Sequence, residues 1–430
     1  LIQSVDWGKM TNLFEYELGE RRIFRDMSIL SPHYVPQELP HRDKEIRGVT
    51  KIIAPVLRNE KPSNLFIYGG TGTGKTCVVK YVIRKLEEFL RSPGRDLRDI
   101  LVRVVYMNCK IRNSKYQVLL KTLEDDSLND ERLKNTPLEG RTERSLKGMD
   151  PADLYDRLFN VVQSNGMNLI IILDEIDMVK KGLNDLMYIL TRINDELSSG
   201  HVSVIGISND RRVKSRLDPR SRSTLCEEEM IFPHYNAIQL RTILRQRIEH
   251  GFQPGTIDDS AIRKIAAFAA QDGDARYALK LLQKAGEIAQ SKLKTRVDLD
   301  DVGMARHLVE KDIMTESIAL LPEHQQIVIY SIAHLALKGG LYQRLSGIST
   351  GDLLTGEVYE AYEANCRALN RNPRTMRQFS EYLNELEMSG LIAMRLSGKG
   401  IRGTTRLIRL GYPPDEIIQI VRQSLGLESD

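Results

Sequence analysis

The chain has 430 residues, which at roughly 100–200 residues per domain predicts two to four domains. Hydrophobic residues make up 41% and charged residues 28%, which excludes a disordered chain. The formal net charge is only +4, and no run approaches the ~20 uncharged apolar residues of a membrane span, so any nucleic-acid surface must be a local concentration of charge.

Residues 1–22 are polar and without a clear period, and they read as a flexible leader with no signal-peptide core. Turn signals at Ser31-Pro32, Val35-Pro36 and Leu39-Pro40 precede a helix from about Arg42. From Asn64, short apolar runs alternate with amphipathic helices. The runs are Leu65–Tyr68, Leu101–Met107, Leu169–Leu173 and Val202–Ile207. Nearly continuous apolar runs of this length fit strands buried on both faces of a parallel sheet. Alternation with helices predicts an α/β domain over 23–233. Helical patterns from about Ala237 to Ala289 predict a helical lid domain, 234–316. A third unit, 317–430, carries helical patterns near 322–338, 349–369 and 373–389, then a strand–turn–strand at Leu391–Leu410, the plan of a winged helix. Cys77, Cys109, Cys226 and Cys366 are far apart and form no CxxC pair, which argues against zinc and disulfides and fits a reducing cytosol.

Gly69-Gly70-Thr71-Gly72-Thr73-Gly74-Lys75-Thr76 matches GxxxxGK[ST] in full, with a strand before and a helix after. Glycines let backbone N–H groups wrap phosphate oxygens, and the helix N-terminus adds partial positive charge. Lys75 would reach the β- and γ-phosphates, and the Thr76 hydroxyl would ligate Mg²⁺. The run Leu169–Leu173 ends in Asp174-Glu175. Asp174 would hold the Mg²⁺ shell, and Glu175 would polarise the attacking water. Asp177 reads equally as a structural or helix-capping residue or as a catalytic one. No NKxD guanine motif occurs, which favours ATP over GTP.

The strand Val202–Ile207 leads to Ser208-Asn209-Asp210, which can place Asn209 near the γ-phosphate, unless it serves only the turn. In Leu217–Ser223, Arg220, with Arg222 as second choice, suits an arginine finger offered to a neighbour's ATP; a plain surface arginine is the alternative. Glu227-Glu228-Glu229 reads as a solvated face. In the third unit, Asn372 is expected to cap a helix starting at Pro373. Its outer face would offer Arg374, Thr375, Arg377 and Gln378 to the major groove. Lys399 and Arg402 at the hairpin tip would meet phosphate or the minor groove. Residues 371–410 hold eight basic and three acidic residues, a surplus of five against +4 for the whole chain. A protein-docking winged helix is the alternative.

The order of these boxes resembles the AAA+ superfamily. More narrowly, it resembles the archaeal replication initiators related to the large subunit of the origin recognition complex and to its helicase-loading paralogue. The resemblance covers about 23–410. It rests on Tyr34-Val35-Pro36 with Leu39-Pro40-His41-Arg42, Gly69–Thr76, Leu173–Asp177, Ile205–Asp210, Asp218–Leu225 and Gly273–Leu279. It implies an adenine pocket lined by Tyr34, Val35, His41 and Arg42, with Asn209 as first sensor and Arg276 as second. It implies slow, switch-like ATP hydrolysis with ATP/ADP and Mg²⁺ as cofactors. It further implies double-stranded origin DNA and a replicative helicase of the minichromosome maintenance type as partners, with paralogous initiators or further copies joining on DNA. The location it implies is cytoplasmic and nucleoid-associated. A DNA-contacting insertion is expected between the second strand and the two-acid strand, where 129–147 carries Arg132, Lys134, Arg141, Arg144 and Lys147. The competing expectations are a hexameric branch-migration motor and an ATP-gated transcription regulator.

Overall fold

The computed structural model describes residues 23–92, 100–138, 146–179, 182–210, 212–339, 352–396 and 406–426. The expected leader, Arg141, Arg144, Lys399 and Arg402 lie outside the described residues. The chain divides into two compact units between Val302 and Gly303. No helix among the described residues is long and apolar enough to cross a membrane.

The first unit is built on five parallel strands: β1 (Leu65–Gly69), β2 (Val102–Asn108), β3 (Asn168–Asp174), β4 (His201–Ser208) and β5 (Glu228–Phe232). Their order is β2-β3-β4-β1-β5. Every residue of β3 is buried, and its side chains alternate between two cores. Ile170 and Ile172 pack with α1 (Asp43–Ile53) and α2 (Lys75–Arg91) through Val49, Ile53, Val78 and Val82. Leu169, Ile171 and Leu173 face α3 (Lys115–Leu123), α4 (Pro151–Asn165) and α5 (Leu183–Glu196) through Leu119, Leu158, Val161 and Leu190. Each such side chain contributes roughly 1.5–3 kcal/mol by burial. This two-sided covering is why the strands read as continuous apolar runs.

Strand β5 was not among the expected strands; its first residues belong to the run read as a solvated face. Glu228 and Glu229 are exposed, but they sit on an edge strand in register with Leu65 and Phe66. Charge on an edge strand discourages pairing with another chain, and it also hides the strand from a search for apolar runs. α6 (Pro219–Leu225) precedes β5 in the chain, and the helices that follow β5 are α7 (Ala237–Gly251), α8 (Asp259–Ala269) and α9 (Ala275–Ser291).

A further helix, α10 (Leu299–Ala319), crosses the division between the units and was not expected. Its buried apolar residues Val302, Ala305, Val309, Met314 and Ile318 follow a 3–4 spacing broken by one step of five. The second unit holds α11 (Glu323–Lys338), β6 (Leu353–Leu354), α12 (Thr355–Ala368), α13 (Met376–Met388), β7 (Ile392–Leu396), β8 (Arg406–Leu410) and α14 (Pro414–Leu425). Its core joins Ile327, Tyr362, Phe379, Leu383, Ile408 and Ile417. The antiparallel sheet has three strands, because the two-residue β6 pairs with β8. Neither β6 nor α14 was expected.

The start of α13 corrects the sequence reading. Thr375, not Asn372, is the N-cap, its hydroxyl accepting from the Gln378 N–H. The helix begins at Met376 rather than Pro373. The reason lies in α12. The Tyr362 hydroxyl accepts from the Arg374 N–H at 3.1 Å, and the Tyr359 hydroxyl donates to the Arg374 carbonyl at 3.0 Å. These tertiary bonds use the backbone groups of Arg374 outside the helix.

Candidate functional site

Strand order makes the site. β1 lies beside β4, and β4 beside β3, so the carboxyl ends of β1, β3, β4 and β2 form one edge. Ser208 pairs with Tyr68, and Asn108 with Asp174. The phosphate-type loop, the two acids and Asn209 therefore meet although they are far apart in sequence, at the edge where α/β sheets hold ligands.

The loop between β1 and α2 turns through Gly72 (φ +67) and Gly74 (φ +89), values that disfavour any side chain. A Cβ on Gly72 would come within 1.7 Å of the Asp274 carboxylate, and one on Gly74 within 2.8 Å of the Tyr235 hydroxyl. Both glycines admit a close neighbour. Asp274 caps α9, accepting from the N–H groups of Arg276 (2.7 Å) and Tyr277 (3.1 Å). The next residue, Ala275, donates its N–H to the Gly72 carbonyl at 3.2 Å. The first turn of α9 is thus hydrogen-bonded directly to the loop.

Arg42 braces the loop from the other side. Its buried guanidinium donates to the Thr73 carbonyl at 2.8 and 3.0 Å and to the Pro233 carbonyl at 2.8 Å. It also lies 3.9 Å from the centroid of the Tyr235 ring. Lys75 donates to the carbonyls of Gly69 (3.0 Å) and Gly70 (2.8 Å) and to Asn209 Oδ1 (2.8 Å). Burial, and then the Arg276 charge, lower its pKa to about 8.

Asp174 accepts three hydrogen bonds. Its Oδ2 accepts from the Thr76 hydroxyl at 2.8 Å and the Tyr106 hydroxyl at 2.7 Å, and its Oδ1 from the Glu175 N–H at 3.0 Å. Burial and the bond to Asp174 raise the Tyr106 pKa and keep the phenol a donor. Glu175 occupies a left-handed backbone conformation (φ 55), uncommon outside glycine. Its Oε2 is buried and has no hydrogen-bond partner among the described residues. A strained backbone carrying an unsatisfied carboxylate oxygen is the pattern of a functional position. Asp177 ties the neighbouring strand end, its Oδ1 accepting from Ser208 Oγ (2.8 Å) and the Asn209 N–H (3.4 Å). That places it with the structural alternative.

One cavity of about 230 Å³ collects Tyr34, Val35, Arg42, Gly72, Gly74, Lys75, Thr76, Asp174, Glu175, Asn209 and Arg276. Gly69, Gly70, Thr71 and Thr73 build the loop but do not line this cavity. His41 does not line it either, contrary to expectation: its backbone is left-handed (φ 63) and its side chain is exposed. Arg220 is exposed on α6 and also stands outside the cavity.

The sequence reading missed Tyr106, Tyr235 and Arg247, which line the same space. Arg247 had a signal. It falls on the buried stripe of α7 with Leu240, Leu244 and Gly251, where an arginine is out of place. It donates to the Ile29 carbonyl at 3.2 Å and lies 4.7 Å from the centroid of the Tyr34 ring. Burial lowers its pKa.

In the second unit, Arg374, Thr375, Arg377 and Gln378 are all exposed around the start of α13. The nearby cations are largely paired. Arg371 bonds Glu323, Arg377 meets Glu381, and Arg395 and Arg409 both hold the buried Asp352. Arg374 makes no ion pair among the described residues.

Comparison with known proteins places these parts in one frame. Family models match residues 38–205 (AAA ATPase domain), 241–307 (Cdc6 AAA+ ATPase-type lid domain) and 316–420 (CDC6, C terminal winged helix domain). An ORC1-type DNA replication protein of Thermococcus kodakarensis is 40% identical over 415 residues, covering 96% of this chain and 94% of that one. The Pyrococcus horikoshii protein of the same name is 41% identical, covering 97% and 94%. The solved Aeropyrum pernix ORC1 protein, in complex with DNA, superposes with a TM-score of 0.76 at 36% identity, covering 94% and 97%.

Proposed function

Because the chain belongs to the family of ORC1-type DNA replication proteins, we propose that it is an ATP-switched initiator that grips origin DNA and helps to recruit the replicative helicase. The observation that carries this reading is the bond from the first turn of α9 to the phosphate-type loop. A nucleotide on the loop cannot change the Gly72 peptide without being felt by the lid helix.

The donor set fits Mg²⁺: hydroxyl and carboxylate oxygens of Thr76 and Asp174, 2.8 Å apart, are the hard ligands that ion prefers. When bound, the ion would neutralise phosphate charge and orient it. Lys75 would exchange its bonds to the Gly69 and Gly70 carbonyls for phosphate oxygens. Glu175, with its unpartnered buried oxygen, would take a proton from the attacking water. Asn209, fixed by Asp177, would orient that water. Arg276 would reach the γ-phosphate from the lid, and Arg220 the ATP of a second copy. Tyr34, Val35 and Arg247 would shape the base pocket. Lys75 held by Asn209 and lid and loop joined through one peptide suit slow hydrolysis that marks a state, rather than rapid turnover.

On the DNA side, Arg374, Arg377 and Gln378 would read or brace the duplex, with Lys399 and Arg402 as wing contacts. Thr375 would contribute from its capping position. The DNA complex of the Aeropyrum pernix relative supports this reading. The test is footprinting on the protein's own genome, with ATP and with ADP. Discrete protected sites whose pattern depends on the nucleotide are expected. Binding to origin DNA no tighter than to random duplex at physiological salt would sink the proposal.

A further inference from the structure

Asp174 has a second hydroxyl donor that the motif does not contain. We propose that Tyr106 is a positioning residue for the metal side of the site, orienting the Asp174 carboxylate toward a Mg²⁺–nucleotide. The proposal rests on the reading of the cleft as a nucleotide site.

The geometry comes from the sheet. β2 lies beside β3, with Tyr106 opposite Ile172 and Asn108 opposite Asp174. The tyrosine thus stands two residues short of the sheet edge, and its length carries the hydroxyl forward to Asp174 Oδ2 at 2.7 Å. Thr76 donates to the same oxygen at 2.8 Å. The two donors come from different elements, β2 and the start of α2, and they converge on a carboxylate that belongs to a third, β3. With Oδ1 held by the Glu175 N–H, both oxygens are fixed and the carboxylate has no free rotation to lose.

The ring is itself held. Lys80, on α2, places its ammonium 4.3 Å from the ring centroid, a cation–π contact made by the helix that follows the loop. Tyr106 and Lys80 both line the cavity. The ring packs against the core on the α2 side of the sheet, and its hydroxyl reaches forward to Asp174. Partners that orient a metal-binding group in this way typically alter metal affinity by about 10–100-fold when removed.

The experiment uses the full chain, fluorescent ADP and magnesium chloride, with an EDTA arm. Tyr106→Phe keeps the ring and the Lys80 contact and deletes only the hydroxyl. The Mg²⁺ concentration for half-maximal enhancement of ADP binding is expected to rise about tenfold. Affinity in EDTA is expected to move less than about twofold, and the melting temperature to stay near that of the wild type, because Asp174 retains its other donors. The split between the two arms distinguishes positioning from a structural role. Equal loss in both arms, or an unchanged Mg²⁺ requirement, overturns the proposal. If the wild type binds ADP with no Mg²⁺ dependence, the metal reading of the cleft fails and this inference falls with it. A wild type that depends on Mg²⁺ and a variant that matches it sink the inference alone.

Discussion

The cleft of the first unit and the basic face of the second handle charge in opposite ways. In the cleft, Lys75, Arg42 and Arg247 are buried, and their donors are spent mainly on backbone carbonyls that define the loop and its walls. On the winged helix Arg371, Arg377, Arg395 and Arg409 are exposed and spent on carboxylates: Glu323, Glu381 and Asp352. A buried cation holding carbonyls can be released to an incoming phosphate at little cost in net charge. An exposed cation already paired must give up an anion before it can hold another. The surplus of five counted between residues 371 and 410 omits Glu323 and Asp352, which lie outside that window and neutralise part of it.

The largest way to break the contrast is Lys75→Ala. Nucleotide affinity is expected to fall on the order of 100-fold by calorimetry, with nucleotide-free DNA affinity largely kept. Equal losses of both would mean that the units do not divide the work. Next is Asp352→Asn. It leaves Arg395 and Arg409 around a neutral amide, so the unfolding free energy of the second unit should fall by about 1–2 kcal/mol. The salt dependence of DNA binding should steepen as the arginines are released. A shallower salt slope would show that Asp352 places those arginines on DNA instead.

The pH response sharpens the cleft side. Lys75 is held at about 8 against an ordinary 10.5 by burial and by Arg276. Phosphate needs the ammonium, so nucleotide affinity should be full below about pH 8 and decline as pH rises through it. Unliganded folding stability should move the other way. Between about 8 and 10.5 the unfolded chain holds a proton that the folded chain has released, so stability rises with pH across that window. A flat affinity profile from pH 7 to 9 would contradict the depressed lysine. The smallest effect is Arg374→Ala, expected to weaken DNA binding a few-fold and to reduce the salt slope by about one phosphate contact. An unchanged slope would remove Arg374 from the interface.

Much of the cleft was legible because its chemistry is contiguous. Gly69–Thr76, Asp174-Glu175 and Asn209 each sit at the end of an apolar run, and the sheet order brings the run ends together. What was not legible depends on pairing across the chain. Tyr106 matters only because β2 lies beside β3. The cap at Thr375 wins over Asn372 only because two tyrosines of α12 take the backbone of Arg374. β5 was hidden by the carboxylates that suit an edge. His41 was expected in the pocket from a motif, but it is exposed and does not line the cavity.

One peptide group has a consequence for measurement. The Ala275 N–H is bound to the Gly72 carbonyl, so its rate of exchange with solvent deuterium reports whether the lid helix rests on the loop. Linkage makes the reading reciprocal: whatever free energy a nucleotide adds to that contact, a partner that tightens the contact must return to nucleotide affinity. A single amide at the start of α9 can therefore be followed as a gauge of coupling, even for partners that never touch the cleft.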